Sequence, residues 1–337
     1  MDSLLELTAC FDRVSIVGMC KNAGKTTVLN RMLKECGAAG LNAALCSVGR
    51  DGEKIDVVTK QKKPEILINE GTLFATAGSL ISSCEVEKER LLSTGVRTAL
   101  GEVIVYRAIS RGLIELSGPS MNSQLPTLIR YFQSCGAEKV LIDGAVSRKA
   151  SSSPTVASCT ILCTGADYNS DIEAVVADTA HAAALLSTEA LQDERAKAII
   201  ASHKERSVLL ISNDYSQAAY GLYETIPEKD KTSAKYAYFP GALTDRLCES
   251  ALGGGQTAEG FTLVSAYASK LMISRGMAAK LASRGIGLLV LDPVSVACIC
   301  VNPHCTSGPD FDRESLRSKM QGAVSLPVIN VADCTLL

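Results

Sequence analysis

Ser15-Ile-Val-Gly-Met-Cys-Lys-Asn-Ala-Gly-Lys-Thr-Thr-Val-Leu-Asn30 decides the reading of this chain. It opens as a short apolar strand, passes through a loop holding two glycines, and enters an amphipathic helix at Gly24-Lys25-Thr26. Strand, loop and helix in that order build an anion site. Successive backbone N–H groups and a helix N-terminus surround a phosphate chain, Lys25 reaches the outer phosphates, and the Thr26 hydroxyl binds Mg²⁺. One position departs from the phosphate-binding loop (P-loop) pattern: Met19 stands where a glycine is expected, and Gly18 lies one residue earlier. Lys21, Asn22, Ala23, Gly24, Lys25, Thr26 and Thr27 are the candidate nucleotide contacts, and Lys25 is also a catalytic candidate.

Residues 14–18 are apolar on both faces, as a central parallel strand should be. The helix is expected over 25–36, with Val28, Leu29, Met32 and Leu33 as its buried stripe and Gly37 as its cap. A second strand is expected over 41–48. It leads into Gly49-Arg-Asp-Gly-Glu-Lys-Ile-Asp56, a turn with three acids at the sheet edge where doubly wound folds hold ligands. Asp51, Glu53 and Asp56 have two readings: a solvated Asp-Gly turn, or catalytic groups of a switch-like loop touching Mg²⁺ or an attacking water. Residues 101–109 and 113–116 read as a hairpin joined by Ser110-Arg-Gly. Further on, Lys139-Val-Leu-Ile-Asp-Gly144 is a strand ending in an acid downstream of the loop, so Asp143 is the candidate Mg²⁺ ligand, directly or through water.

From residue 208 the strand–helix alternation restarts without a second such loop, and the charged helical stretch 192–206 marks the boundary. The expected fold class is α/β: a P-loop NTPase with a mostly parallel, doubly wound sheet in residues 1–205, then a smaller α/β domain in residues 206–337 that is a candidate partner-binding domain.

Composition narrows the function. The 337 residues are 47% hydrophobic and 21% charged with a formal net charge of −2, which argues against nucleic acid as the main partner. Thirteen cysteines lie scattered through apolar segments, as free buried thiols do in a reducing compartment. The first residues lack a basic segment and a long apolar core, and no run of 18 apolar residues occurs; a cytoplasmic protein without membrane contact is expected. Cys298, Cys300, His304 and Cys305 are open to two readings, a metal site or buried thiols beside a loop, and the spacing favours the second. No Asn-Lys-x-Asp guanine-reading motif is present, so ATP is favoured over GTP. Lys21 lies four residues before Lys25, one short of the position from which a second lysine in some such loops reaches across a homo-oligomer.

The loop resembles those of the MobB and dethiobiotin-synthetase branch of P-loop proteins. More narrowly, Lys21-Asn-Ala-Gly-Lys-Thr-Thr27, Val48-Gly-Arg-Asp-Gly-Glu53, Gly71-Thr-Leu-Phe-Ala-Thr76, Ile142-Asp-Gly-Ala-Val-Ser-Arg148 and Ile161-Leu-Cys-Thr-Gly-Ala166 resemble the KamB-type subunits of lysine 5,6-aminomutase reactivases. Pro240-Gly-Ala-Leu-Thr244 and Val301-Asn-Pro303 extend the likeness into the second half. The resemblance implies a chaperone-like reactivating factor. With a MutS-like ATPase partner, it would use ATP and Mg²⁺ to release damaged cobalamin from inactivated lysine 5,6-aminomutase in lysine fermentation. The family's loop residues carry over to Gly24, Lys25, Thr26 and Thr27, and its acid to Asp143. Two other readings of the residues stay open: a stand-alone ATP-dependent enzyme of the dethiobiotin-synthetase type, and a nucleotide-binding scaffold that does not hydrolyse.

Overall fold

The computed structural model describes residues 3–48, 65–145, 154–221, 226–252 and 260–334. Asp51, Glu53 and Asp56 lie outside them. Among the described residues a nine-stranded sheet is built from β1 (Arg13–Gly18), β2 (Ala43–Ser47), β3 (Leu73–Ala77), β4 (Lys88–Thr98), β5 (Gly101–Ala108), β6 (Lys139–Ala145), β7 (Cys159–Gly165), β8 (Ser295–Asn302) and β9 (Val328–Asn330). Its order is β9-β8-β7-β1-β6-β2-β3-β5-β4. The run from β9 to β3 is parallel, and β5 and β4 extend it antiparallel. The chain is therefore α/β with a large, mostly parallel sheet, and β1 sits inside it with β7 on one side and β6 on the other.

Both faces of this sheet are covered. On one face α1 (Lys25–Ala38) buries Val28, Leu29, Met32, Leu33 and Cys36 against Val14 and Ile16 of β1, Leu45 of β2 and Leu141 of β6. On the other, α2 (Leu125–Ser134) buries Leu125, Leu128, Ile129 and Phe132 against Ala44, Cys46, Val140 and Ile142. Each such large side chain contributes roughly 1.5–3 kcal/mol by leaving water, which locks the α1 stripe to the strand that feeds its loop. The helix runs past the expected cap at Gly37. Its left-handed closing residue is Gly40 at φ 69°, where Gly40 N–H bonds the Gly37 carbonyl and Leu41 N–H the Cys36 carbonyl.

Two expectations are corrected. Residues 101–109 and 113–116 do not pair as a hairpin: β5 pairs with β3 and β4, while Gly112–Ile114 pairs with Ile66–Ile68 in a separate two-stranded sheet. The true hairpin partner, β4, is hard to read because it alternates poorly and carries Lys88, Glu89, Arg90 and Arg97 on an exposed edge, as edge strands do to avoid further pairing. The expected boundary at 205/206 also moves. The chain divides into Met1–Ala180 with Ser295–Leu337, and His181–Val294. Residues from 295 onward rejoin the first sheet because β8 runs parallel to β7, with Ser295 opposite Cys159 and Asn302 opposite Gly165.

The second unit holds its own five-stranded sheet, ordered Gln217–Tyr220, Val208–Ser212, Ala234–Phe239, Thr262–Tyr267, Gly287–Asp292. Asp193 anchors one side of it. It caps the helix Glu194–Ser202 through the Ala196 amide at 3.0 Å and accepts bonds from Tyr215 Oη, Lys235 Nζ and Tyr236 Oη at 3.0, 2.9 and 3.1 Å.

Candidate functional site

The loop between β1 and α1 lies at the C-terminal ends of the parallel strands, where open α/β sheets place ligands. Gly24 is the residue before the helix and has φ 88°, a left-handed conformation that side-chain-bearing residues avoid. Asn22 has φ 57°, which asparagine tolerates. This winding leaves the amides of the loop turned away from chain acceptors. Among the described residues, the Asn22, Ala23 and Gly24 N–H groups have no protein acceptor. Three such donors, followed by the free first turn of α1, match what a phosphate chain requires.

Lys25 folds back over Gly18. A Cβ at Gly18 would stand 3.0 Å from Lys25 Cδ and 3.1 Å from Lys25 Cγ, tighter than most Cβ contacts, so a larger residue there would press on the lysine stem. The small residue lies at 18, and Met19 donates its N–H to the Cys163 carbonyl at 2.7 Å, tying the loop's start to β7.

Asp143 belongs to the strand next to β1. It lies opposite Ile16 of β1 and Ser47 of β2, on the α1-facing side that Leu141 also serves. Ser47 Oγ is buried beside it without a hydrogen-bond partner. A carboxylate next to an unmet hydroxyl, at the mouth of the glycine loop, could hold a hydrated divalent cation, one of whose waters would meet the hydroxyl. With Mg²⁺-nucleotide bound, the metal would neutralise the outer phosphates; Thr26 and Asp143 are the residues that would hold it, while Lys25 supplies the fixed positive charge. Lys21 is exposed at the loop's rim and Thr27 half-buried in the first turn. Arg148, like the three acids of 51–56, lies outside the described residues.

The structure adds a brace that the sequence reading missed. Asn302, at the end of β8, donates from Nδ2 to the Asn22 carbonyl at 2.7 Å. Asn22 Nδ2 bonds Thr306 Oγ1 at 3.3 Å, and Thr306 in turn donates from its amide and its hydroxyl to Asp167 at 2.8 and 2.9 Å. Burial opposes ionisation of Asp167, but the bonds from Thr306, Cys305 and Asn22 outweigh it and hold the carboxyl below its ordinary range. The loop is thus held from the ends of β7 and β8. An Asn-Pro pair ending an apolar strand was the available signal, but nothing local says which loop such a side chain reaches.

Cys20 lies in the same loop, half-buried. Burial first, then the Asp167 charge, push its thiol up to about 11 against the opposing effect of Lys25. Cys298 and Cys300 are fully buried in the core under α1, whereas His304 is exposed and bonds Asp310 at 3.0 Å. Among the described residues no group of three His, Cys, Asp or Glu side chains could hold a metal, and no helix is long and apolar enough to cross a membrane.

No family model matches the chain, and no curated protein or solved structure gives a significant match. Function therefore rests on the site's own geometry and on the motifs that surround it.

Proposed function

We propose that the chain binds Mg-ATP at loop 18–27 and acts as the ATP-binding subunit of a reactivase for adenosylcobalamin-dependent lysine 5,6-aminomutase. The observation that carries the nucleotide reading is the pairing of three unmet loop amides with a lysine laid over Gly18. That arrangement suits an anion of several phosphates, and Asp143 on the adjoining strand suits its metal. The reading of what the ATP is for rests on the motif resemblance along the chain. A reactivase works if the ATP-bound and hydrolysed states differ in a surface its partner recognises, and loops tied to the γ-phosphate and metal supply such a difference.

The test combines inactivated mutase, a MutS-like partner ATPase, Mg-ATP and fresh adenosylcobalamin, with and without this chain. Recovery of mutase activity is expected only when the chain is present, and Lys25→Ala should abolish both Mg-ATP binding and recovery. Full recovery with Lys25→Ala would remove the assignment of the site. Turnover of a small acid by the chain alone would replace the reactivase by a stand-alone enzyme.

A further inference from the structure

The second unit has a ligand edge of its own. Its strands Ala234–Phe239, Thr262–Tyr267 and Gly287–Asp292 run parallel, so Tyr238, Tyr267 and Asp292 stand at or next to their C-terminal ends, where open α/β sheets hold ligands. Lys270 follows in the turn after Tyr267.

The polar groups gathered there are donors that lack acceptors, and they keep accessible surface. Tyr238 is 8% exposed; among the described residues its hydroxyl has no hydrogen-bond partner, yet that atom is not sealed from solvent. Burial, then the neighbouring Tyr267 and Asp292, push its phenol up, so the hydroxyl keeps its proton. Tyr267 is half-buried and packs against the same cluster. Lys270 is half-buried as well. It donates to the Pro240 carbonyl at 2.6 Å, and its Nζ stands 5.1 Å from the centre of the Tyr267 ring. Lys197, Lys235 and Lys280 of the same unit each pair with a carboxylate. Among the described residues Lys270 does not, and burial lowers its pKa. A Cβ at Gly241, next to Pro240, would meet nothing within 4 Å, so the chain leaves space beside this turn.

An ammonium partly withdrawn from water is costly unless an opposite charge meets it. Two of its N–H groups and the Tyr238 hydroxyl have no protein acceptor, so an anion is what the edge lacks. Charge selects among anions. Lys270 supplies one positive charge, and Asp292, exposed opposite Tyr267, repels a second negative one. A carboxylate carries a single charge, whereas a phosphate group carries about 1.5–2 at neutral pH. We propose that this edge of the second unit binds a small monocarboxylate, with Lys270 Nζ and the Tyr238 hydroxyl donating to its oxygens and the Tyr267 ring alongside.

The experiment labels the full chain with trace N-acetoxysuccinimide and reads acetylation at Lys270 by peptide mass spectrometry, with benzoate in one arm and inorganic phosphate in the other. Saturable protection of Lys270 by benzoate is expected with a midpoint below about 10 mM, phosphate needing about tenfold more. Because the readout is at Lys270, occupancy of loop 18–27 does not enter it, and the outcome is independent of the nucleotide reading. Tyr238→Phe removes a hydroxyl that no described protein group bonds, so the fold is retained; it should weaken protection about fivefold. No saturable protection by benzoate, equal protection by both anions, or an unchanged midpoint in the Tyr238→Phe protein overturns the proposal.

Discussion

Asn302 Nδ2 lies 2.7 Å from the carbonyl oxygen of Asn22, so the end of one strand holds the glycine loop of another. Asn302→Ala removes a donor from a half-buried carbonyl and frees the loop's middle residue. A net loss of about 1 kcal/mol is expected for such a bond, read as a several-fold weaker affinity for a fluorescent ATP analogue. The thermal midpoint should move little, because the α1 stripe is untouched.

Gly24→Ala meets two obstacles at once. Its φ of 88° is disfavoured for alanine, and the new Cβ would stand 2.8 Å from a Val331 methyl carbon. Left-handed strain costs about 1–2 kcal/mol and overpacking about 1–3 kcal/mol. Adding Val331→Ala should relieve the clash but not the backbone strain. Urea denaturation of both variants measures the two parts; if the second substitution recovers nothing, Val331 is not the limiting contact.

Asp143→Asn should separate metal from nucleotide. An amide is a poorer Mg²⁺ ligand than a carboxylate, while the loop amides and Lys25 are unchanged. Mg-ATP affinity is expected to fall at least about tenfold, with metal-free ATP affinity changing less than about twofold. Equal losses in both titrations would show that Asp143 shapes the loop rather than holding the cation.

Asp193 makes the second unit sensitive to acid. Partial burial alone would raise its carboxyl pKa, but the Ala196 amide, Lys235, Tyr215 and Tyr236 bond the charged form and bring it well below the usual range. A depressed folded value means the stabilisation is complete above the unfolded value near about 4 and is lost as pH falls through the folded one. Asp193→Asn keeps the helix cap and loses the charge, so a cost of about 2 kcal/mol is expected near pH 7. The gap between wild type and variant should shrink below about pH 4, as followed by urea melts of the second unit's tyrosine fluorescence.

The loop was readable from the sequence because everything that builds it is local. An apolar strand, a glycine before the helix and the α1 stripe at Val28, Leu29 and Met32 all follow from short-range sterics and periodicity. The same is true of Asp143, which a parallel strand places at the sheet's ligand-binding edge. The strand β4 was not readable, since an edge strand with charges on both faces has no clean period.

The strand–loop–helix from residue 14 to about residue 36, the α/β alternation and the acid on β6 were thus legible in the sequence, while the helix's last turn to Ala38 was not. What the local pattern did not carry is that β8 and β9 return to the first sheet, that Asn302, Thr306 and Asp167 brace the loop, and that the Lys25 stem packs over Gly18. The physical reason is range. Helix and strand formation depend on neighbours a few residues away, but pairing partners are chosen by burial across the whole chain. A hydrogen bond between residues 22 and 302 leaves no trace in the local pattern at either end.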